Sequence, residues 1–404
     1  MNDVLIVSAA RLPIGRFGGA LKEVSDWDLG TIVIAEVLKR AGLRGNEVDE
    51  VIMAHGFRTG DLPANSSRAV ALKAGIQIEI PQFTINKACG GSLRAVSLAA
   101  QIIKAGESDI IVAGGMESMS RAAYILPKVR WGSRLGHARL IDQLVLLDPI
   151  SGYSLGETGE NVAELYKISR EDQDQFAFLS QQRAEKAIKS NKFREEIVAA
   201  QVPQTGRSPV IFDTDEHPRF GATLEELSKL KSVFKQNGTI TAGNASGLND
   251  GASAVVVMSR KKAKEMGIRP LVSIRSYASV GVKPEIMGIG PIPATQKALQ
   301  KAGLELKDID LIELNEAFAA QCLAVIRELR FDMEKINVNG GAIALGHPIS
   351  ATGCILITKI IHEMKRRKSQ FGLVTMCIAG GQGIAMIVEN EETEDSNVLQ
   401  KFDL

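Results

Sequence analysis

Twice along this chain a β-branched run leads into a glycine-crowded turn, a helix-length amphipathic segment, a second apolar run and a pair of adjacent glycines. In the first half, a strand pattern at 82–85 leads to the turn around Cys89, a helix pattern at 92–105, a strand at 110–113 and then Gly114-Gly115. In the second half, 336–339 leads to the turn around His347, a helix at 352–365, a strand at 373–377 and Gly380-Gly381. Strands that alternate with helices build a sheet covered by helices. Two such units packed together let turns that are distant in sequence meet in one cleft.

The remaining periodicity fits that frame. Strand patterns recur at 4–8, 50–54, 254–258, 271–278 and 311–314, and helical ones at 29–41, 66–74, 170–190, 294–302 and 317–329. The middle third, 120–245, carries few strand signals and reads as an insertion. A chain of 404 residues exceeds what one hydrophobic core organises, so more than one domain is expected.

Composition excludes several function classes. With 48 basic and 47 acidic residues the net charge is +1, and nothing suggests a polyanion-binding surface or nucleic acid as a partner. Cysteines stand at 89, 322, 354 and 377 with no CxxC pair, which points to free thiols, a reducing compartment and no structural metal site. The start, Met1-Asn2-Asp3-Val4, enters a strand at once and lacks a secretory pattern, so a cytoplasmic protein is expected. No apolar run approaches the roughly 18 residues a bilayer span needs, so no membrane partner is expected. The terminal Lys401-Phe402-Asp403-Leu404 matches no receptor-read address, and the acidic stretch 389–396 reads as a solvated tail.

Three glycine turns carry titratable groups: Cys89 in Asn86-Lys87-Ala88-Cys89-Gly90-Gly91-Ser92, His347 in Gly346-His347-Pro348, and Cys377 in Cys377-Ile378-Ala379-Gly380-Gly381-Gln382-Gly383. A thiol becomes a nucleophile when its proton can be drawn off, and a second acid/base group must serve what it attacks. Brought together, these turns would make an acyl-transfer site. Taken singly, each cysteine could be a small core residue at a tight turn, His347 a turn residue, and Asn315 a helix cap. Cys322 and Cys354 fall on apolar helix faces and read as core. The stretch Gly243 to Gly251 lacks the lysine and spacing of a phosphate loop.

The chain resembles the thiolases. The resemblance rests on the Cys89 turn, Asn315-Glu316-Ala317-Phe318, the run Asn339-Gly340-Gly341-Ala342-Ile343-Ala344-Leu345-Gly346-His347-Pro348, and the Cys377 turn, in the family's order. Thr241-Ala242-Gly243-Asn244-Ala245-Ser246-Gly247-Leu248-Asn249-Asp250-Gly251 and Met287-Gly288-Ile289-Gly290-Pro291 add to it, and only the tail after about Glu389 lies outside. It implies an α/β thiolase fold: two similar βαβαβαββ halves packed as a five-layered core with an inserted loop domain. The boundaries implied are 1–119 for the N-terminal half, 120–249 for the loop domain, 250–270 completing the first half, 271–390 for the C-terminal half, and 391–404 for an acidic tail.

The resemblance also implies the chemistry. Cys89 would be the nucleophile, its thiolate favoured by a helix start, and His347 would take its proton. Cys377 would deprotonate a second acetyl-CoA, whose carbanion attacks the acyl-enzyme. The Cys89 and Ala379 backbone N–H groups would cradle one oxyanion, and His347 with a water held by Asn315 the other. Condensation gives acetoacetyl-CoA and CoA; the reverse splits it or another 3-ketoacyl-CoA. CoA and acyl-CoA are substrates, and no cofactor is implied. Family positions for CoA contacts fall on Arg219, Phe234, Ser246, Met287, Ala317 and Phe318, and a homodimer or homotetramer is expected.

This sequence also departs from the family pattern. Gly91 stands where thiolases place serine, with the serine displaced to Ser92; Ala379 replaces a glycine; and Ser154-Leu155 replaces histidine and methionine. Alanine at 379 would be strained if its turn needed φ > 0, and Gly91 would loosen the nucleophile turn. The alternative function is a thiolase-fold acyl-CoA binding or assembly protein with weakened catalysis. A ketosynthase-type enzyme would be expected to show two active-site histidines and no Cys377.

Overall fold

The computed structural model describes residues 3–57, 59, 65–145, 147–204 and 207–391. The acidic tail from 392 onward lies outside the described residues.

In chain order the strands are β1 (Val4–Arg11), β2 (Gly15–Arg16), β3 (Glu50–Ala54), β4 (Gln82–Ile85), β5 (Ile110–Ser118), β6 (Tyr124–Ile125), β7 (Ile141–Asp142), β8 (Ala200–Gln204), β9 (Arg207–Phe212), β10 (Asn249–Ser259), β11 (Val272–Gly281), β12 (Leu311–Leu314), β13 (Phe371–Ile378) and β14 (Gln382–Asn390). The helices are α1 (Asp26–Ala41), α2 (Ser66–Lys73), α3 (Gly91–Ala105), α4 (Leu155–Tyr166), α5 (Arg170–Lys189), α6 (Leu224–Ser228), α7 (Arg260–Met266), α8 (Pro291–Ala302), α9 (Ala319–Leu329), α10 (Ala342–Leu345) and α11 (Thr352–Arg367).

The main sheet runs β12-β13-β14-β11-β1-β10-β5-β3-β4. It divides at β1 and β11, which share only the Leu5↔Ser273 and Ile6↔Val272 pairing. On one side the order is β4-β3-β5-β10-β1; on the other it is β12-β13-β14-β11, with a parallel bridge from Ile312 to Ile336 standing where β4 stands in the first half. The two halves therefore share one strand order. The expected strand at 336–339 is reduced to that bridge. β14 was not expected from the sequence, because the glycines at its entrance read as a turn and the acidic end as a tail.

Strands β1, β5 and β10 are buried along their whole length, as strands covered on both faces must be. α1 covers one face of the first half-sheet, with Leu29, Val33 and Val37 packed against Val112 and Val256. α8 and α9 cover the outer face of the second. Between the half-sheets lie α3 and α11, whose Leu93, Val96, Cys354 and Ile357 share one core with residues of both. Layered this way, helix, sheet, helix, sheet and helix form the thiolase fold. The helix pair packs closely because Gly353 meets Leu93 where a Cβ would stand 2.6 Å away.

Residues between β5 and β10 contribute the hairpins β6–β7 and β8–β9 and helices α4, α5 and α6, none of which joins the main sheet. Buried Arg11 ties this region to the core: its guanidinium meets Glu196 at 2.7 Å and Asp215 at 2.7 Å.

Candidate active site

Cys89 sits in a single helical turn, Ala88–Gly90, between β4 and α3. Ala88 is in the left-handed region at φ 42°, a conformation that costs an alanine about 1 kcal/mol or more and is held by the hydrogen bond from Ala88 N to Asn86 Oδ1 at 3.0 Å. The two following glycines are demanded by close approach. A Cβ on Gly90 would lie 2.4 Å from Ile378 Cδ1, and one on Gly91 2.8 Å from Ala54 Cβ. Gly91 is helical, at φ −55°, so it packs the turn tightly and does not loosen it. The displaced serine has a separate role, since Ser92 Oγ accepts from Cys354 N at 2.9 Å and fastens α3 to α11.

Burial pushes the Cys89 thiol up to about 11, while the backbone N–H of Ala379 and that of Cys89 itself, both directed at the sulfur, pull it down. The expected helix-start stabilisation is outweighed by desolvation, and the resting group is the neutral thiol. The other thiols are raised as well: Cys354 reaches about 12, Cys377 is raised further, and Cys322 is held well above its ordinary value by burial.

Cys377 ends β13 and is fully buried beside Ile240, Met287, Ala317 and Phe318. In the turn that follows, the left-handed residues are Gly380 (φ 84°) and Gly381 (φ 79°), not Ala379. Alanine at 379 is therefore unstrained and keeps its N–H on Cys89.

His347 is fixed from both sides. Its N–H donates to Asn249 Oδ1 at 2.9 Å, and Nδ1 lies 2.6 Å from Thr352 Oγ1. The one proton of the Thr352 hydroxyl goes to Pro348 O at 3.1 Å, so Nδ1–H donates to Oγ1 and Nε2 carries the free lone pair. Nε2 is buried with no hydrogen-bond partner among the described residues. Burial holds the ring near 4, so it is a neutral acceptor at pH 7.

Cys89 and His347 open into the same cavity of about 360 Å³, which Phe234, Ser246, Met287, Ala317 and Phe318 also line. Phe234 and Phe318 meet edge to face at 6.2 Å. A second cavity of about 280 Å³ shares Cys89, Leu155 and Ile349 and continues past Leu147 and Ala379. Cys377 packs in one cluster with Met287, Ala317 and Phe318, does not itself line either cavity, and is near enough to Cys89 for that thiol to oppose its ionisation. Arg219 is exposed and is not on the cavity wall; its backbone N–H is held by Gln181 at 2.9 Å. Asn315 follows β12, is fully buried, and has neither amide atom paired among the described residues. It caps nothing: α9 begins four residues on with Phe318 at its cap.

Sequence reasoning missed Thr352, although its place at the start of α11 five residues after His347 was readable. Leu155, singled out in the sequence only as a departure from the family pattern, lines both cavities, and Ser154, which caps α4, lines the first. Among the described residues no cluster could hold a metal ion, and no helix is long and apolar enough to cross a membrane.

Residues 4–261 match the family described as "Thiolase, N-terminal domain" and 268–390 that described as "Thiolase, C-terminal domain". The chain belongs to the thiolase family and is an acyltransferase of that class. Its similarity to known thiolases extends along nearly its whole length: it is 52% identical over 395 residues to the acetyl-CoA acetyltransferase of Syntrophomonas wolfei, covering 96% of this chain and 99% of that one. The crystal structure of the Bacillus anthracis acetyl-CoA acetyltransferase superposes with a TM-score of 0.94 at 47% identity, covering 96% of this chain and 99% of that one. Human mitochondrial 3-ketoacyl-CoA thiolase in complex with CoA does so with 0.93 at 42%, covering 96% and 98%.

Proposed function

We infer that the chain is an acetyl-CoA C-acetyltransferase that condenses two acetyl-CoA to acetoacetyl-CoA and CoA, and splits 3-ketoacyl-CoA in reverse. The observation that carries this reading is a thiol faced by two backbone N–H groups, opening into a cavity that is also lined by His347, whose Nε2 has no partner among the described residues.

Cys89 Sγ attacks the acetyl-CoA carbonyl as its proton passes to His347 Nε2; the tetrahedral oxyanion is met by the Cys89 and Ala379 N–H groups. Collapse expels the CoA thiolate, which picks up the Cys377 proton and leaves acetyl-Cys89, while His347 keeps the proton it took. The Cys377 thiolate then removes an α-proton from a second acetyl-CoA, the carbanion attacks the thioester, and the released Cys89 thiolate recovers its proton from His347 Nε2. His347 and a water held by Asn315 meet the enolate oxygen; the buried, unpaired Asn315 amide supports that role.

Phe234, Ser246, Met287, Ala317 and Phe318 suit the pantetheine arm as an apolar wall with one hydroxyl, and Arg219 the nucleotide end outside it. CoA and acyl-CoA serve as substrates, with no resident cofactor. The domain division at 1–119, 120–249, 250–270 and 271–390 is proposed with this reading, as is a reducing cytoplasmic setting, which suits four unpaired thiols. A homodimer or homotetramer is supported by the apolar arm between β5 and α4, where Trp131 is 87% and Leu135 100% exposed. Light scattering that showed only a monomer would remove the oligomer. The reading of a binding protein has no observation in its favour, since both altered turns keep their donors.

The test is to mix the protein with acetyl-CoA, quench in acid and locate the acetyl group by peptide mass spectrometry. A thioester on Cys89 alone, lost in His347→Ala, is expected. No adduct in protein that binds CoA would overturn the reading.

A further inference from the structure

A second group of buried charges stands behind the nucleophile turn and takes no part in the reaction described above. His55, just past the end of β3, points its Nε2 at Asp26 Oδ2, 2.6 Å away at the start of α1, and lies 4.0 Å from Glu117 Oε1 near the end of β5. All three side chains are nearly inaccessible, at 7% or less. Ser66 Oγ from α2 meets His55 Nδ1 at 3.1 Å, and Thr59 Oγ1 donates to Asp26 at 2.8 Å. Nδ1 is paired with Ser66, Nε2 faces Asp26 as an ion-pair contact and not as an aligned hydrogen bond, and the two carboxylates beside the ring favour its protonated form. Burial alone would pull His55 down, but Asp26 and Glu117 outweigh it and keep it above its ordinary value.

Glu117 is where this group reaches the site. Its Oε1 accepts from Phe57 N at 3.0 Å, and its Oε2 from Gly56 N at 3.2 Å and Ser350 N at 3.1 Å. Burial pushes Glu117 above the usual carboxylate range, while His55 and these N–H donors favour its charged form. Ser350 follows His347 by three residues, and its carbonyl accepts from Ser92 N at 3.1 Å in the first turn of α3. One carboxylate thus braces the His347 turn, which in turn braces the helix that Cys89 opens. The same negative charge acts against ionisation of Cys89. The charged groups facing His55 are Asp26 from α1 and Glu117 from β5, and the titratable group facing Glu117 from the turn before α3 is Cys89.

We propose that Asp26, His55 and Glu117 form a charge-compensated brace in which His55 is a positioning residue for the acyl-transfer reaction: it offsets Glu117, so that the carboxylate can hold the His347 turn without suppressing Cys89. This rests on Cys89 being the nucleophile. The test reads the thiol itself, without turnover, so it can fail while that reading stands.

The experiment follows iodoacetamide alkylation of Cys89 in the full chain by peptide mass spectrometry at about pH 8, where the rate tracks the thiolate fraction. His55→Gln removes the compensating charge, and the rate should fall by roughly 3- to 10-fold. Glu117→Gln removes the opposing charge, and the rate should rise by a similar factor, about 3- to 10-fold. The double variant should return toward the wild-type rate. A purely structural role moves all three in one direction, and that result, or no change in His55→Gln, overturns the proposal. Should His55→Gln fail to fold, Glu117→Gln decides: a faster rate supports the brace, and an unchanged or slower one sinks it.

Discussion

The turn before α3 and the turn before α11 occupy the same place in two half-sheets of one strand order, yet they do different work. The first presents a thiol directly at the helix start; the second presents an imidazole five residues before its helix, tied to it through Thr352. The two helix starts touch, through Ser92 Oγ with Cys354 N and Ser92 N with Ser350 O. A duplicated scaffold thus delivers two unlike groups to one cavity, and burial acts on them in opposite senses. It raises the thiol to about 11 and lowers the imidazole to about 4. Both are therefore neutral at rest, with the proton free to move only as attack proceeds.

If the division between the turns is right, Cys89→Ala should cost both half-reactions, on the order of 10⁴-fold or more in turnover; acetoacetyl-CoA thiolysis near the wild-type rate would break the comparison at once. Cys377→Ala should spare acetylation of Cys89 but reduce condensation by about 10²- to 10⁴-fold. The check is to measure acetyl labelling and acetoacetyl-CoA formation on the same preparation.

The buried histidines of the two half-sheets titrate with opposite sign. His347 and His362, both of the second half, are lowered by burial to about 4 and about 3. Between the ordinary value of 6.5 and those values the unfolded chain binds more protons, so their contribution is complete above 6.5 and erodes as pH falls toward 4, by a few kcal/mol at most at about 1.4 kcal/mol per unit. His55 of the first half is raised, so its contribution is complete below 6.5 and lost as pH rises through its folded value. Urea melts across this range should show a shallower acid-side slope in His362→Gln, with the His347 share remaining, and a shallower alkaline-side slope in His55→Gln; slopes identical to wild type would refute the assignment.

Thr352→Val removes the acceptor that fixes the His347 tautomer and should slow acylation about tenfold without moving the CoA affinity. Smallest is Ser92→Ala, which removes one of the two acceptors of Cys354 N–H, leaves the bond to Ala351 O, and should cost about 0.5–1 kcal/mol in chemical denaturation.

Much of this was legible in the chain. Four predicted strands lie within a residue or two of β3, β4, β12 and β13, because those runs are apolar and bounded by turn residues. The three glycine turns announced their titratable groups. Less visible was β14, whose glycine-rich entrance hid a strand, and the place of Arg219, which exposure and the Gln181 bond set aside from the cavity. Nor could Asp26, His55 and Glu117 be joined from sequence, being 29 and 62 residues apart along the chain.

The sequence by itself determined the alternation of strands and helices, the glycines at the turns and the residue types that could do chemistry, since these follow from local periodicity and backbone freedom. Only the tertiary structure decided which thiol is approachable, which nitrogen of His347 is free and which sign each pKa shift takes. Those depend on desolvation and on donors supplied from elsewhere: Ala379 is 290 residues from the Cys89 it serves, and no local pattern records that distance closing.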